Sequence, residues 1–327
     1  MRDPKRILLI KPSALGDVVH AMPIAHLLKR RFPASHLTWL IAPAFSQLAE
    51  RHPDVDAVIH FDRKKTGDLK AIDKSSNTLL SLVDQLRHAD FDLVIDLQGL
   101  ARSAFFSAMT GAPKRIGFAY ARELAWLGYT HRVQSRGKER HAIERYLDAA
   151  EELGCGRAPV RFDFGIDDDD RRHVDELIGQ NTSPIILLPG TNWKTKRWPA
   201  EHFDELARRF QTNVFIAGAG DAVELSKLIH APSLAGKTTV MQLAELLRRA
   251  KLVITNDSGP MHIAAAVGAP LVSLFGPTNP VRTGPYLRES SVVRLNIACS
   301  PCYSRSCSHH SCLRKLDVDT VMKSINP

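Results

Sequence analysis

The apolar run Ile7-Leu8-Leu9-Ile10 lies within Arg6–Lys11, and the apolar positions of residues 16–31 then recur at helical spacing. His36–Ile41, Ala57–Phe61 and Asp92–Asp96 are further short apolar runs, and Leu79–Arg87 shows helical periodicity between the last two. Runs of this length without polar alternation predict strands covered on both faces. Their alternation with helices predicts a parallel sheet.

The segment Phe162–Arg172 breaks the pattern. It carries Asp167-Asp168-Asp169-Asp170 followed by Arg171-Arg172, a solvated stretch suited to a linker or the first turn of a helix. The alternation then restarts. Strands are expected at Pro184–Pro189, Val214–Ala217, Leu252–Thr255 and Leu271–Phe275. Helices are expected at Pro199–Arg209, from Asp221, at Val240–Arg249 and at Ser258–Val267. The fold class is therefore α/β, with two doubly wound parallel-sheet domains in tandem, 1–168 and 169–327. Such sheets bind ligands at the carboxyl ends of their strands, and with two of them the expected site is a cleft between the domains.

Length agrees: 327 residues suit two domains of ordinary size better than one core. No run of eighteen apolar residues is available to span a bilayer. The four-residue apolar run near the start is too short for a signal peptide, so a cytoplasmic location is expected. The net charge of +9 points to an anionic partner, whether nucleic acid, an acidic membrane surface or a phosphorylated substrate, although it also serves solubility alone. The basic residues are dispersed and form no nucleic-acid-binding signature, which disfavours sequence-specific recognition.

Four strand-to-helix turns can carry chemistry. In Thr255-Asn256-Asp257-Ser258-Gly259-Pro260, Ser258 suits an N-cap and Gly259-Pro260 the first helical turn, with His262 one turn further on. A helix start exposes unpaired N–H groups and the positive end of the dipole, a natural diphosphate site. Asp257 can accept from a sugar hydroxyl, but Asp257 and Ser258 serve equally well as plain helix caps. Pro189-Gly190-Thr191 is followed by Lys194, Lys196 and Arg197, either a cradle for a departing diphosphate or a solvated basic loop. Gly218 and Gly220 form a turn before Asp221 and Glu224, but Val223 stands where a dinucleotide fingerprint needs its third glycine, which counts against a dehydrogenase. Finally, Lys11-Pro12-Ser13-Ala14-Leu15-Gly16-Asp17 puts Asp17 at a helix start, where it is a general base or a cap. Gly236-Lys237-Thr238 lacks the upstream glycine of a P-loop, and Asp163-Phe164-Gly165 has no other kinase element beside it. Asp90-Phe91-Asp92 and Asp317-Val318-Asp319 sit at a strand start and in a helix, so no catalytic metal is expected.

Cys155 reads as a core residue. Cys299, Cys302, Cys307 and Cys312 are spaced C-x2-C-x4-C-x4-C around His309 and His310. That spacing suits zinc or an iron–sulfur cluster, or simply a structural loop, expected to lie away from the donor strand ends.

Taken in order, these pieces resemble the ADP-heptose:lipopolysaccharide heptosyltransferases of glycosyltransferase family 9, the second heptosyltransferase type most closely, in which Cys-rich tails also occur. The likeness also covers Val18-Val19-His20, Asp96-Leu97-Gln98-Gly99-Leu100 with Arg102-Ser103, Arg115-Ile116-Gly117-Phe118 and His141-Ala142-Ile143-Glu144-Arg145-Tyr146. It continues through Lys196-Arg197-Trp198-Pro199, Asn256 to His262 and Phe275-Gly276-Pro277-Thr278. The resemblance implies a GT-B architecture, two Rossmann-like domains facing a cleft, with an N-terminal acceptor domain, a C-terminal nucleotide-sugar domain and a last helix crossing back. It implies inverting, metal-independent transfer of heptose from ADP-heptose to the Kdo/heptose–lipid A inner core, with domain closure excluding water. It gives Asp17 the role of base and Lys196 that of phosphate partner. Thr191, Glu224, Met241, Asp257, Ser258, Gly259 and His262 become donor-binding residues. Arg63, Lys64, Arg102, Arg122 and Arg145 become candidates for the anionic acceptor. A monomer on the inner face of the inner membrane, with no required cofactor and no nucleic acid, is expected. A nucleotide-sugar epimerase and a metal-stapled nucleic-acid-binding protein are the rival readings; the acceptor sugar, the linkage and the donor sugar itself stay open.

Overall fold

In the computed structural model, which describes residues 3–62, 72–134, 136–137, 139–210 and 213–325, Arg6–Ile10 forms β1 and is buried from Ile7 onward. His36–Ile41 (β2) and Ala57–His60 (β3) extend the sheet on one side of β1. Leu93–Asp96 (β4), Lys114–Phe118 (β5) and His131–Val133 (β6) extend it on the other. The order is β3-β2-β1-β4-β5-β6, all pairs parallel. The apolar runs read from sequence supply its interior, with Leu8, Ile10, Leu40, Ile59 and Val94 in one core cluster together with Leu86 and Phe106. This cluster belongs to the first compact unit, Met1–Gly165.

The second unit, Ile166–Pro327, starts just before the acidic run. Asp167 caps the Asp168–Ile178 helix by accepting from the Asp170 N–H, so the acids sit where the helix dipole favours them. Ile185–Leu188 (β7), Val214–Ile216 (β8), Leu252–Asn256 (β9), Leu271–Leu274 (β10) and Val292–Val293 (β11) form a parallel sheet in the order β11-β10-β9-β7-β8. Both sheets are thus doubly wound α/β sheets. The order reverses between β1 and β4 in the first, and between β7 and β9 in the second, and ligands bind at such points.

Strands β5, β6 and β11 escape the sequence pattern. Lys114–Phe118 begins with two charged residues, and the other two strands are only three and two residues long. Val318–Ile325 is the last helix, and its buried face packs in the second unit. Val318 and Val321 are buried in its core with Leu206, Leu274, Leu313 and Trp198.

Candidate active site

In the second unit, the turns after β7 and β9 meet at the switch point. Asn256, the last residue of β9, is fully buried. Its Nδ2 donates to the Pro189 carbonyl at 2.7 Å, and its Oδ1 accepts from the Trp198 N–H at 3.0 Å. One side chain therefore ties the β9 end to both sides of the basic turn. Trp198 anchors the far side of that turn in the core, with its indole N–H on the Leu316 carbonyl at 2.8 Å. Next to Asn256, buried Asp257 receives Lys196 Nζ on Oδ2 at 2.7 Å. The Thr278 hydroxyl, from the turn after β10, donates to the same oxygen at 2.5 Å. Lys196 Nζ also lies 4.7 Å from the centre of the Trp193 ring, which limits where the ammonium can swing.

The residues assigned to the donor are partly gathered here. Thr191 donates its hydroxyl to the Asp257 carbonyl at 3.3 Å and its N–H to Asp221 Oδ2 at 3.1 Å. Asp221 also holds Arg197 Nη2 at 2.5 Å, while the buried Nε of Arg197 has no acceptor among the described residues. Gly190 has no room for a side chain, since a Cβ would sit 2.8 Å from Asp221 Oδ1 and 2.9 Å from the Ala222 Cβ. Ser258 occupies the N-cap of the Gly259–Ala266 helix with extended backbone. Its hydroxyl does not cap the helix; it lies 3.5 Å from the Thr255 hydroxyl, so the plain capping role is not the one adopted. His262 is buried one turn further on.

Two assigned residues are placed differently. Glu224 is exposed on the Asp221–Ser226 helix and is bound by Lys227, the C-cap residue of that helix, at 2.8 Å. Met241 is wholly buried at the start of the Val240–Arg249 helix, so its side chain offers an incoming base no surface.

The cysteine loop requires a correction, because it lies against the turns after β7 and β10. Thr195 donates its hydroxyl to the Ser304 carbonyl at 2.8 Å, and His310 Nε2 reaches the Thr195 carbonyl at 2.7 Å. Arg305 stacks 4.5 Å from the Trp193 ring centre. The Cys302 and Tyr303 N–H groups both reach the Pro277 carbonyl, at 3.0 and 2.7 Å. The loop therefore joins the Lys194–Lys196 turn to the turn after β10. Spacing along the chain did not reveal this, because the contacts run through Ser304, Arg305 and His310 between the cysteines. Among the described residues no three of the sulfurs lie within 4.8 Å of one another, although burial and then Cys302, Cys299 and Cys307 together raise the Cys312 thiol pKa. A tetrahedral thiolate site holds its sulfurs about 3.8 Å apart. Cys312 is buried, with its Sγ 3.0 Å from where a Cβ on Gly276 would stand, while Cys299, Cys302 and Cys307 are exposed. Among the described residues the thiols form no closed ligand set for the zinc or iron–sulfur group that the spacing allowed.

In the first unit, the turns after β1 and β4 flank the switch point. Asp17 is the third residue of the Leu15–Arg31 helix, and its Oδ2 accepts from the Ala14 N–H at 3.2 Å. Its side chain keeps 44% of its surface exposed, and Oδ1 lies 3.9 Å from Lys11 Nζ. Lys11 was read only as part of the motif, yet it is buried at the base of this group. Its ammonium reaches the Leu97 carbonyl at 3.4 Å and lies 5.4 Å from the Tyr146 ring centre. Burial opposes its charge, but Asp17, Tyr146 and Asp96 together hold its pKa above the usual lysine value. Burial pushes the Tyr146 phenol up to about 12. Asp96 is likewise buried, which raises its carboxyl pKa. It accepts from the Gln98 and Gly99 N–H groups and from the Tyr129 hydroxyl at 2.8 Å, a bracing role for the turn after β4.

Of the acceptor candidates, Arg102 and Arg122 are exposed, and Arg102 lies 5.8 Å from the Phe61 ring centre. Arg145 is half-buried on the Ala142–Glu151 helix, and its Nε has no acceptor among the described residues. Arg63 and Lys64 lie outside the described residues.

The model of glycosyltransferase family 9 (heptosyltransferase) matches residues 79–313. The chain belongs to glycosyltransferase family 9. This family 9 glycosyltransferase is 29% identical over 303 residues to the lipopolysaccharide core heptosyltransferase OpsX of Haemophilus influenzae, covering 89% of this chain and 84% of that one. It is also 29% identical over 325 residues to lipopolysaccharide heptosyltransferase 1 of Pseudomonas aeruginosa, covering 93% and 88%. E. coli heptosyltransferase WaaC, solved with ADP-2-deoxy-2-fluoro heptose, shares the fold with a TM-score of 0.78 at 24% identity, over 98% of each chain.

Proposed function

We propose that this enzyme transfers heptose from ADP-heptose to the inner core of lipopolysaccharide, with inversion at the anomeric carbon and without a catalytic metal. The observation that carries this reading is the Lys196–Asp257–Thr278 group beside the Gly259–Ala266 helix terminus, at the switch point of the second sheet. A cation on a short tether, a helix terminus and an acceptor carboxylate answer a sugar diphosphate: the first two meet the phosphates, the third a hydroxyl. The unpartnered Nε of Arg197 beside the turn suits the same anion. The relatives' names, and the ADP-heptose analogue in the WaaC structure, support this donor and acceptor.

Asp17 takes the proton of an acceptor hydroxyl. The freed oxygen forms a bond to the anomeric carbon as the bond from that carbon to the diphosphate oxygen breaks, and ADP leaves with the electron pair. Lys196 and the Ser258–Gly259 N–H groups stabilise the growing charge on the diphosphate, the role a metal fills in other transferases. Lys11 is a positioning residue: its buried ammonium, 3.9 Å from Asp17 Oδ1, holds that side chain in place. The acceptor is lipid-anchored, which sets the reaction at the cytoplasmic face of the inner membrane. No helix among the described residues is long and apolar enough to cross a membrane, so attachment there is peripheral in this proposal.

A thermal-shift panel of nucleotides tests the donor. ADP and ADP-heptose should raise the melting temperature well above the effect of UDP or GDP. Equal shifts for all three nucleoside diphosphates would overturn the adenine assignment.

A further inference from the structure

Among the described residues of the first unit, five large hydrophobic side chains are exposed, and four of them are Phe105, Tyr120, Leu124 and Leu127. These four belong to two neighbouring pieces of chain. Phe105 lies on the Ala101–Met109 helix, and the others lie in and before the Ala125–Gly128 turn. The two pieces are pressed together. Ala104, Ala125 and Tyr129 form a small core of their own, and a Cβ on Gly128 would stand 2.7 Å from the Ala104 carbonyl oxygen.

The backbone holds the two leucines outward. Glu123 and Leu124 take left-handed conformations, with φ of 55° and 59°. Side chains other than glycine rarely adopt that region, and a bulky residue held there calls for a reason. The Leu127 N–H bonds the Leu124 carbonyl at 3.0 Å, so the two side chains, three apart on a tight turn, share one edge. Leu124 is 64% exposed and Leu127 63%.

The charge around this edge is positive. Arg102 and Arg122 are exposed beside it. Arg132 stacks 4.6 Å from the Trp126 ring centre, and its Nε donates to the Trp126 carbonyl. The one acid in the turn, Glu123, spends its carboxylate on the Ala101 N–H at 3.2 Å, at the positive end of the helix. Protruding aliphatic residues on a rigid turn ringed by arginines match an anionic bilayer surface. The leucines enter the boundary between headgroups and acyl chains, and the guanidinium groups meet phosphates. A protein partner would be answered by a flatter apolar face with satisfied polar groups at its rim.

We infer that the Leu124–Leu127 edge, flanked by Arg102, Arg122 and Arg132, docks this unit on an anionic phospholipid bilayer. Its purpose rests on the membrane-anchored acceptor proposed above, whereas binding to lipid does not.

The experiment is sedimentation of the full chain with vesicles of phosphatidylglycerol and phosphatidylethanolamine, and with vesicles of phosphatidylcholine alone. The wild-type chain should sediment with the anionic vesicles, less so as salt rises, and weakly with the neutral ones. The double variant L124D/L127D should lose anionic vesicle binding by about tenfold or more, because two exposed apolar side chains that would enter the bilayer are replaced by charges that it repels. Equal circular dichroism melting curves establish that it is folded, and L124S/L127S serves if it is not. Both variants should keep wild-type turnover on a water-soluble, deacylated acceptor. Equal vesicle binding by wild type and variant, or none by wild type, overturns the inference. So does a change of oligomeric state in the variant without a change in lipid binding. Failure of the wild type to modify the soluble acceptor would instead strike at the proposed function.

Discussion

Lys196 Nζ lies 2.7 Å from Oδ2 of Asp257, and both residues stand on turns at the carboxyl ends of neighbouring strands, β7 and β9. The pair has a clear physical consequence. A buried carboxylate fixes the ammonium where a diphosphate would approach, and Thr278 holds the same oxygen. Lys196→Ala should lower kcat by about 10²- to 10³-fold, the usual effect of removing one group that meets developing charge. Thr278→Val should cost less, because the ion pair survives. Single-turnover transfer from ADP-heptose measures both; a Lys196→Ala enzyme with unchanged kcat would remove the lysine from the chemistry.

Asn256 is expected to matter to stability as much as to catalysis. Its amide satisfies the buried Pro189 carbonyl and the Trp198 N–H at once. Asn256→Ala leaves both without partners, at about 1–3 kcal/mol each. Denaturant unfolding should show the loss in the transition of the second unit, together with weaker ADP binding. A variant as stable as the parent would mean that the turns are held by other contacts.

Replacing Lys11 by Met keeps the volume of its stem and removes the buried cation next to Asp17. The expected result is a fall in kcat of about tenfold, in line with the loss of one positioning interaction, with KM for the donor unchanged because Lys11 lies in the first unit. A rise in donor KM alone would contradict the positioning role.

His52 supplies a pH prediction. Burial lowers its pKa from 6.5 to about 4, an effect that neighbouring Asp54 and Asp163 oppose and His26 and Arg161 reinforce. The folded state therefore favours the neutral ring. Its contribution is complete above the unfolded value, near pH 6.5, and is lost as pH falls toward about 4. The full effect is about 3 kcal/mol at 1.36 kcal/mol per pKa unit. His52→Gln should flatten the acid limb of a melting-temperature profile over that window. An unchanged acid limb would show that other groups set it.

Much of this architecture was legible along the chain, for a physical reason. Strands buried on both faces leave uninterrupted apolar runs, so β1, β2, β4, β7, β9 and β10 announced themselves. Strands β6 and β11 are too short to leave a pattern, and the charges at Lys114-Arg115 disguise β5, where Arg115 turns away to bond the Gly128 and Ala112 carbonyls. In the site, the turns bearing Asp17, Lys196 and Asp257 were readable because strand-to-helix junctions have their own residue chemistry. The pairing of Lys196 with Asp257 was not, since it depends on strand order. Nor was the burial of Met241, which helical periodicity leaves undecided, or the clasp of the cysteine loop on Thr195. Contacts between turns far apart in sequence leave no local signature.

The central claim is that Asp17 launches transfer onto a donor held by the Lys196 turn. Its most direct measurement is mass-spectrometric detection of heptose transfer from ADP-heptose to Kdo–lipid A and to heptosyl-Kdo–lipid A acceptors by the wild-type chain and by Asp17→Ala, each with ADP-heptose affinity measured alongside. The wild type should add one heptose to one of the two acceptors. Asp17→Ala should slow that step by at least about 10²-fold while keeping donor affinity, as expected for loss of a general base. Transfer by Asp17→Ala at the wild-type rate, or no transfer by the wild type, would contradict it.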